Sequence, residues 1–263
     1  LSQRYTIPSQ SMTAVLGHEE VAPGHFLLAL EAEAIARSCA PGQFVMVRVG
    51  QEMDPLLRRP FSLHFARANT IGLLYRVVGK GTSLLSRLKE GASIDVIGPL
   101  GKGFSIPESL DRLILIAGGI GVAPLYFAAE KVRRERPQTR VSLFYGARTQ
   151  GELIRLQAFA ELGVETYLAT EDGTAGARGF VTRILRETSG ALDAGHFMAC
   201  GPEPMLKALT ALPWRGDQSL QVSLESNMAC GMGACLGCAV QTTSGYKHVC
   251  QDGPVFEART LPW

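Results

Sequence analysis

Three of the six cysteines in this 263-residue chain fall within "CGMGACLGC", as Cys230, Cys235 and Cys238. Cys250 follows after eleven further residues, so the spacing is C-x4-C-x2-C-x11-C. Four thiolates from one loop and a returning strand can surround a [2Fe–2S] cluster, whose plant-type pattern is C-x4-C-x2-C with a distant fourth cysteine. The intervening Gly231, Gly233, Ala234 and Gly237 are small enough for the backbone to wrap closely and aim its N–H groups at the sulfurs. Zinc is the competing occupant. It favours paired knuckles or histidine partners, and only Cys235 and Cys238 form a knuckle here. Buried structural thiols are the remaining reading. The return to the fourth cysteine is short beside plant-type ferredoxins, which predicts a trimmed cluster module. A cluster relays electrons, so the rest of the chain should hold a donor and an acceptor.

Two further stretches suit a flavin. In "RRPFSLH" (58–64), the Arg59 fork could neutralise a pyrophosphate bidentately. Phe61 supplies an aromatic neighbour across Pro60, and Ser62 could donate to a flavin ring atom. In "LLYRVVGKGTS" (73–83), Tyr75 and Arg76 lie on a strand and Gly81–Thr82 opens a helix, whose first N–H groups bind phosphate well. Short motifs of this kind also occur as plain strand edges, and neither "GKG" here nor "GPLGKGF" (98–104) has Walker spacing.

A third pair of stretches suits a nicotinamide dinucleotide. "LILIAGGIGVAP" (113–124) reads as strand, glycine turn and helix, and Gly118, Gly119 and Gly121 would admit a pyrophosphate at the helix start. It is not G-x-G-x-x-G, so the Rossmann fingerprint does not apply, and a tight structural turn is the alternative. "FMACGPEPM" (197–205) repeats the logic, with Cys200 ending a strand, then Gly201, then Pro202 before a helix. The alternative role for Cys200 is a small buried residue. No acid–base pair suited to deprotonating carbon is evident, so no catalytic residue is assigned. His18, His25, His64, His196 and His248 are scattered and read as surface or core residues, with His248 a candidate for tuning the cysteine site. Glu171–Asp172 follows a strand and reads as a ribose-binding acid or a solvated turn; Arg148 could instead meet an NADP phosphate.

These residues need a scaffold. Short β-rich runs at 26–33, 43–50, 61–68, 71–79 and 93–99, punctuated by Gly and Pro, predict a small antiparallel barrel. One helix is expected over 82–91, capped by Thr82 or Ser83 and ended by Gly91. From about residue 110 strands and helices alternate. Strands are expected at 112–118, 140–148, 164–170 and 196–201, and helices at 123–136, 152–162 and 202–212, with 220–225 as the last strand of a parallel sheet. The fold class is therefore multidomain: an antiparallel β-barrel over 1–107, an α/β parallel-sheet domain over 108–225 and an iron–sulfur module over 226–263. Hydrophobic residues are 46% of the chain and the net charge is +2 with no basic block, so a core is available and nucleic acid is a poor partner. The longest apolar run, 113–129, is broken by Gly and Pro and is short for a membrane span. No signal-peptide pattern appears, which makes the cytoplasm the expected compartment, with reduced thiols.

In order, "RPFS", "LYR", "GKGT", "GPLGKGF", "AGGIGVAP" and "ACGPEPM" resemble the ferredoxin–NADP reductase superfamily, and "ESNMACGMGACLGC…C" narrows the resemblance to the electron-transfer subunits of NAD-dependent, class 1B dihydroorotate dehydrogenases. The resemblance implies that Arg59, Pro60, Phe61, Ser62, Leu74, Tyr75, Arg76, Gly81 and Thr82 hold FAD. It implies that the Gly118–Pro124 turn and Cys200, Gly201 and Pro202 hold NAD, and that Cys230, Cys235, Cys238 and Cys250 hold the [2Fe–2S] cluster. It also implies a partner, an FMN-containing dihydroorotate dehydrogenase catalytic subunit, in a heterotetramer with two of each chain. Two alternatives stand beside it: a related reductase subunit serving ferredoxin or sulfide/polysulfide, and a colourless zinc-stapled binding module.

Overall fold

The structure, a computed structural model, describes residues 7–50, 54–214 and 218–263. Six strands form the closed antiparallel barrel: β1 (Ser9–Ala22), β2 (His25–Glu31), β3 (Phe44–Arg48), β4 (Arg59–Arg67), β5 (Thr70–Arg76) and β6 (Ser93–Leu100), in the order β1-β2-β5-β4-β3-β6. Successive side chains of a strand alternate between faces, and the barrel interior follows that rule. Leu28 and Leu30, Val45 and Val47, Ile71 and Leu73, and Ile94 and Val96 share one core. β3 is apolar at every residue from Phe44 to Val47 because its second face is covered too: Phe44 and Met46 pack with Cys238, Val249 and Cys250.

The β1 strand was not legible in the sequence. It is polar and runs 14 residues, paired with both β2 and β6 and interrupted by bulges. The expected strand over 26–33 gives way to a short helix, α1 (Glu33–Ser38). The helix expected from 82 starts earlier and is shorter: α2 spans Lys80–Leu85. Thr82 does cap it, but from inside the first turn, its hydroxyl oxygen accepting from the Val78 and Gly79 N–H groups at 2.9 and 3.1 Å.

The second layer is a seven-stranded sheet built from β7 (Arg112–Gly118), β8 (Arg140–Ala147), β9 (Glu165–Thr170), β10 (Ala177–Arg178), β11 (His196–Cys200), β12 (Leu220–Ser223) and β15 (Val255–Glu257). Its order is β10-β9-β8-β7-β11-β12-β15, parallel except where β15 pairs antiparallel with β12. Helices α3 (Val122–Glu135), α4 (Leu156–Glu161), α5 (Val181–Glu187) and α6 (Glu203–Thr210) connect the strands. The expected helix 152–162 is halved, because Arg155 takes the left-handed backbone region with φ 64° just before α4. The expected last strand is not the edge. β15, which follows the cysteines, covers it, and Lys102 bridges Pro254 so that the cysteine segment also grips the barrel exit. A small hairpin, β13 (Ala239–Thr242) and β14 (Gly245–His248), lies between. Among the described residues no helix is long and apolar enough to cross a membrane.

Barrel and sheet meet where β4 packs on α3. Arg67 pairs with Glu130 and donates to the Tyr126 hydroxyl at 3.1 Å. His64 is fully buried, stacked on Tyr126 with ring centroids 4.6 Å apart, and its Nδ1–H donates to the Ala123 carbonyl at 2.9 Å. Its Nε2 has no partner. Burial, opposed by the Ala123 bond and reinforced by Arg155 and Arg67, pushes its pKa from 6.5 down to about 3. A folded pKa below the unfolded one means stability that is complete above about 6.5 and lost as pH falls towards 3, since the unfolded chain takes up the proton first. Between pH 6.5 and 5 the interface should lose roughly 2 kcal/mol through this residue. Urea midpoints across that range should therefore slope more steeply for the wild type than for His64→Leu; equal slopes would contradict it.

Candidate functional site

The loop after β12 gathers the four thiols. Cys230 and Cys235 are near neighbours, and Cys250 is near both Cys238 and Cys230. Cys238 and Cys250 are buried, whereas Cys235 is exposed. Backbone N–H groups point at the sulfurs: Met232 and Cys235 donate to Cys230 Sγ at 3.5 and 3.4 Å, Gly233 to Cys250 Sγ at 3.1 Å, and Cys250 to Cys238 Sγ at 3.4 Å. Burial works against ionising Cys230, yet the Met232 and Cys235 N–H groups overcome it and bring the thiol down to about 6. The loop depends on glycine at two points. A Cβ on Gly231 would sit 2.5 Å from Met46 Cγ, and one on Gly233 would sit 2.9 Å from Gln251 Oε1; both have positive φ.

Among the described residues no group of three or more His, Cys, Asp or Glu side chains converges to hold a single metal ion. Four gathered thiols, three of them accepting from backbone N–H groups, suit a binuclear cluster.

A cleft of about 690 Å³ opens between barrel and sheet. Arg59, Pro60, Phe61 and Ser62 line it from β4, and Leu74, Tyr75 and Arg76 from β5. Thr82 closes one end; Gly121, Pro124 and Cys200 form the sheet side. Gly81 lies beneath Arg59, and a Cβ there would sit 3.0 Å from the Arg59 Nε. Arg59 is held by its own backbone, Nη1 donating to the Leu57 carbonyl at 2.6 Å. Tyr75 contributes its ring but not its hydroxyl. His18 Nδ1–H donates to the Leu88 carbonyl at 2.8 Å, which leaves Nε2 to accept the Tyr75 O–H at 2.9 Å. His18 is thus a structural histidine at the barrel wall.

A second cleft, about 630 Å³, lies at the carboxyl ends of the sheet strands, where open α/β sheets bind ligands. Gly118, Gly119 and Pro202 line it. The glycines of the two turns divide their work. Gly118, Gly121 and Gly201 let the two turns touch: a Cβ on Gly121 would sit 2.2 Å from the Cys200 carbonyl oxygen, and one on Gly118 would sit 2.8 Å from Pro202 Cδ. Gly119, with φ +51° and no atom within 4 Å of a Cβ, faces open space at the cleft wall. Gly121→Ala should therefore separate the turns, cost about 2–3 kcal/mol of stability and weaken dinucleotide binding in the same protein. Denaturant midpoints and a nucleotide titration check this; an unchanged midpoint would refute the packing argument.

The two clefts meet at Arg76, Ile120 and Glu225, which line both. Sequence reasoning missed Glu225. It follows β12 at the sheet's carboxyl edge, reachable by solvent but closely walled, and burial raises its pKa while Arg76 opposes the rise. Burial of Cys200, with the Glu225 charge adding to it, pushes that thiol up to about 12, so Cys200 presents a neutral S–H to the barrel–sheet cleft. The signal that could have found Glu225 was its place, an acid directly after a strand whose neighbour ends in "ACGP". Asn227 and Met228 also line the barrel–sheet cleft, so it lies two residues from the first thiol of the loop.

A closed barrel, a parallel sheet with clefts at and beside its carboxyl edge, and a four-thiol loop adjoining both define an electron-transferring reductase of the ferredoxin–NADP reductase fold. Comparison with known proteins narrows this. The family described as the iron-sulfur cluster binding domain of dihydroorotate dehydrogenase B matches residues 225–262, and the oxidoreductase NAD-binding domain matches 115–211. The electron transfer subunit of dihydroorotate dehydrogenase B (NAD(+)) from Desulforamulus reducens is 38% identical over 95% of this chain and 97% of its own length. That from a Geobacillus species is 41% identical over the same shares. Among solved structures, an NADH-dependent reduced ferredoxin-NADP oxidoreductase superposes with a TM-score of 0.83 at 28% identity, covering 96% of this chain and 90% of that one. The chain belongs to the family of dihydroorotate dehydrogenase B (NAD(+)) electron transfer subunits.

Proposed function

We propose that this chain carries electrons from the FMN of a dihydroorotate dehydrogenase catalytic subunit to NAD+, so that dihydroorotate and NAD+ become orotate, NADH and a proton. The observation that supports this most is adjacency: the four-thiol loop, the barrel–sheet cleft and the strand-edge cleft adjoin one another in that order. When bound, the [2Fe–2S] cluster would supply one-electron transfer and FAD the conversion of single electrons to hydride. The chain's own residues hold and separate the sites. Cys230, Cys235, Cys238 and Cys250 would ligate the irons, with N–H groups offsetting sulfur charge. Arg59, Pro60, Phe61, Ser62, Leu74, Tyr75, Arg76, Gly81 and Thr82 would hold FAD. Gly118, Gly119 and Pro202 would build the NAD wall, Gly121 and Gly201 would let its two turns touch, and Pro124 and Cys200, expected there too, face the barrel–sheet cleft instead and would back the flavin side. We propose the same division into 1–107, 108–225 and 226–263, a cytoplasmic location and a heterotetramer with two of each subunit.

The test is co-expression with the candidate FMN subunit. The complex should purify with flavin and cluster absorbance, show the mass of a two-plus-two assembly, and reduce NAD+ when given dihydroorotate. A purified complex that carries its cofactors and stays inert toward dihydroorotate would sink the proposal. Reduction of ferredoxin by NADH without any partner chain would favour the related reductase reading.

A further inference from the structure

The loops after β8 and β9 stand side by side at the strand-edge cleft, tied by the Asp172 N–H donating to the Arg148 carbonyl at 3.2 Å. They bring one cation and two carboxylates to its wall: Arg148, Glu152 and Glu171. Arg148 alone would be the natural receptor for a ribose 2′-phosphate. It is not free to act as one. Its Nε donates to both Glu152 carboxylate oxygens at 3.1 and 3.2 Å, and its Nη2 to one of them. The Arg148 backbone N–H also donates to Glu152 Oε2 at 3.3 Å. The carboxylate is thus clamped from one residue by side chain and backbone together, and the Glu152 side chain is 21% exposed against 66% for that of Arg148. Glu171 lies close enough to act on Arg148 electrostatically, and among the described residues it has no ion-pair partner of its own. One positive charge against two negative ones leaves this part of the wall net negative. Arg76 also lines the cleft, but at the junction shared with the flavin side. Beside Glu171, the Gly179 N–H donates to the Thr170 carbonyl at 2.8 Å, which sets the 66% exposed Phe180, just before α5, near the carboxyl end of β9 as a surface on which an adenine could stack.

We propose that Glu152, with Glu171, sets the dinucleotide preference of this cleft: the clamped Arg148 is withheld from a 2′-phosphate, while the two carboxylates repel that phosphate and accept hydrogen bonds from a free ribose hydroxyl. This rests on reading the strand-edge cleft as the nicotinamide site. The device rejects the wrong ligand by like charge rather than by shape, an element that specificity often requires. Its prediction is asymmetric. Neutralising the clamp should both remove a repulsion and release a cation, so one substitution changes two terms in the same direction.

The test uses adenosine fragments, which read only this end of the cleft and undergo no redox chemistry. Calorimetric titration of the assembled, cofactor-loaded complex with 5′-AMP and 2′,5′-ADP gives the ratio of their affinities. Wild type should favour 5′-AMP. Glu152→Gln should shift the ratio towards 2′,5′-ADP on the order of 10- to 100-fold, and adding Arg148→Ala should reverse most of that shift. Glu171→Gln should move the ratio the same way by a smaller factor. Turnover with NADP+ relative to NAD+ should follow the same order. A ratio moved less than about twofold by Glu152→Gln, in a protein that still binds 5′-AMP, overturns this proposal alone. Wild-type protein that binds neither fragment nor NAD+ overturns the nicotinamide reading and the proposal with it.

Discussion

Cys230→Ser should strip the brown cluster absorbance from the protein and lower dihydroorotate-dependent NAD+ reduction by at least about 100-fold, since even residues behind metal ligands cost 10–100-fold when changed. The argument begins with the loop. Cys230 Sγ accepts from two backbone N–H groups and is the thiol whose ionisation the fold favours most clearly. Serine keeps the size of the side chain but replaces a soft ligand with a hard one that iron–sulfur chemistry tolerates poorly. Cys230 is only partly buried, so the exchange should leave barrel and sheet folded. A flavin reaction should therefore survive: NADH reduction of ferricyanide needs the two clefts but not the thiol loop. Cys250→Ser should give the same split, with a larger loss of stability because Cys250 is buried in the core shared with Phe44 and Met46. Cys39→Ser is the control. Cys39 lies outside the loop, beside α1, where burial pushes its thiol up to about 12, and its substitution should change neither reading. Retention of full coupled activity by Cys230→Ser would remove the relay from the mechanism.

The cluster segment was the most legible part of the sequence because its constraint is local. Ligand spacing and small residues sit within one run, and chain geometry does the rest. The sheet strands were legible for a related reason: strands buried on both faces read as continuous apolar runs, as in Leu113 to Ala117. The β1 strand was hidden because it closes the barrel with a polar outer face and bulges that break the two-residue alternation. The split of the 152–162 helix was hidden because it depends on the Arg155 backbone, which no local residue preference announces. The turn glycines stood out in the sequence, but their packing role did not. Gly118 and Gly121 answer to Cys200 and Pro202, some eighty residues away, and of the three only Gly119 has open space where a Cβ would be. Glu225 shares that cause, because Arg76 and Cys200 come beside it only in the tertiary fold. The Arg148–Glu152 clamp is local, four residues apart, and acquires its meaning from the cleft wall on which the fold sets it.

Arg59 and Arg58 are adjacent in sequence and should part company in experiment. Arg58 is already committed: Nη2 meets Asp95 Oδ2 at 2.6 Å, with both side chains largely shielded, and Nη1 donates to the Asp95 carbonyl at 3.1 Å. Arg59 has no carboxylate partner among the described residues. It donates to the Leu57 carbonyl, rests over Gly81 and projects into the barrel–sheet cleft beside the start of α2. A guanidinium placed that way is suited to a pyrophosphate, and hydrogen bonds to charged groups contribute ~1.5–3 kcal/mol each. Arg59→Ala should therefore weaken FAD binding by about 2–4 kcal/mol, or roughly 30- to 1,000-fold in affinity, with little change in the unfolding of the flavin-free chain. Arg59→Lys should recover part of that loss, because it restores the charge without the fork. Arg58→Ala should do the opposite. It leaves Asp95 shielded without its partner and costs ~2–3 kcal/mol of stability, somewhat less than a fully buried pair would, while the folded protein keeps its flavin. Flavin content after desalting, the FAD titration of stripped protein and the thermal midpoint of each variant separate the two roles. Equal flavin loss from both arginines, or none from Arg59→Ala, would mean that the pyrophosphate lies elsewhere.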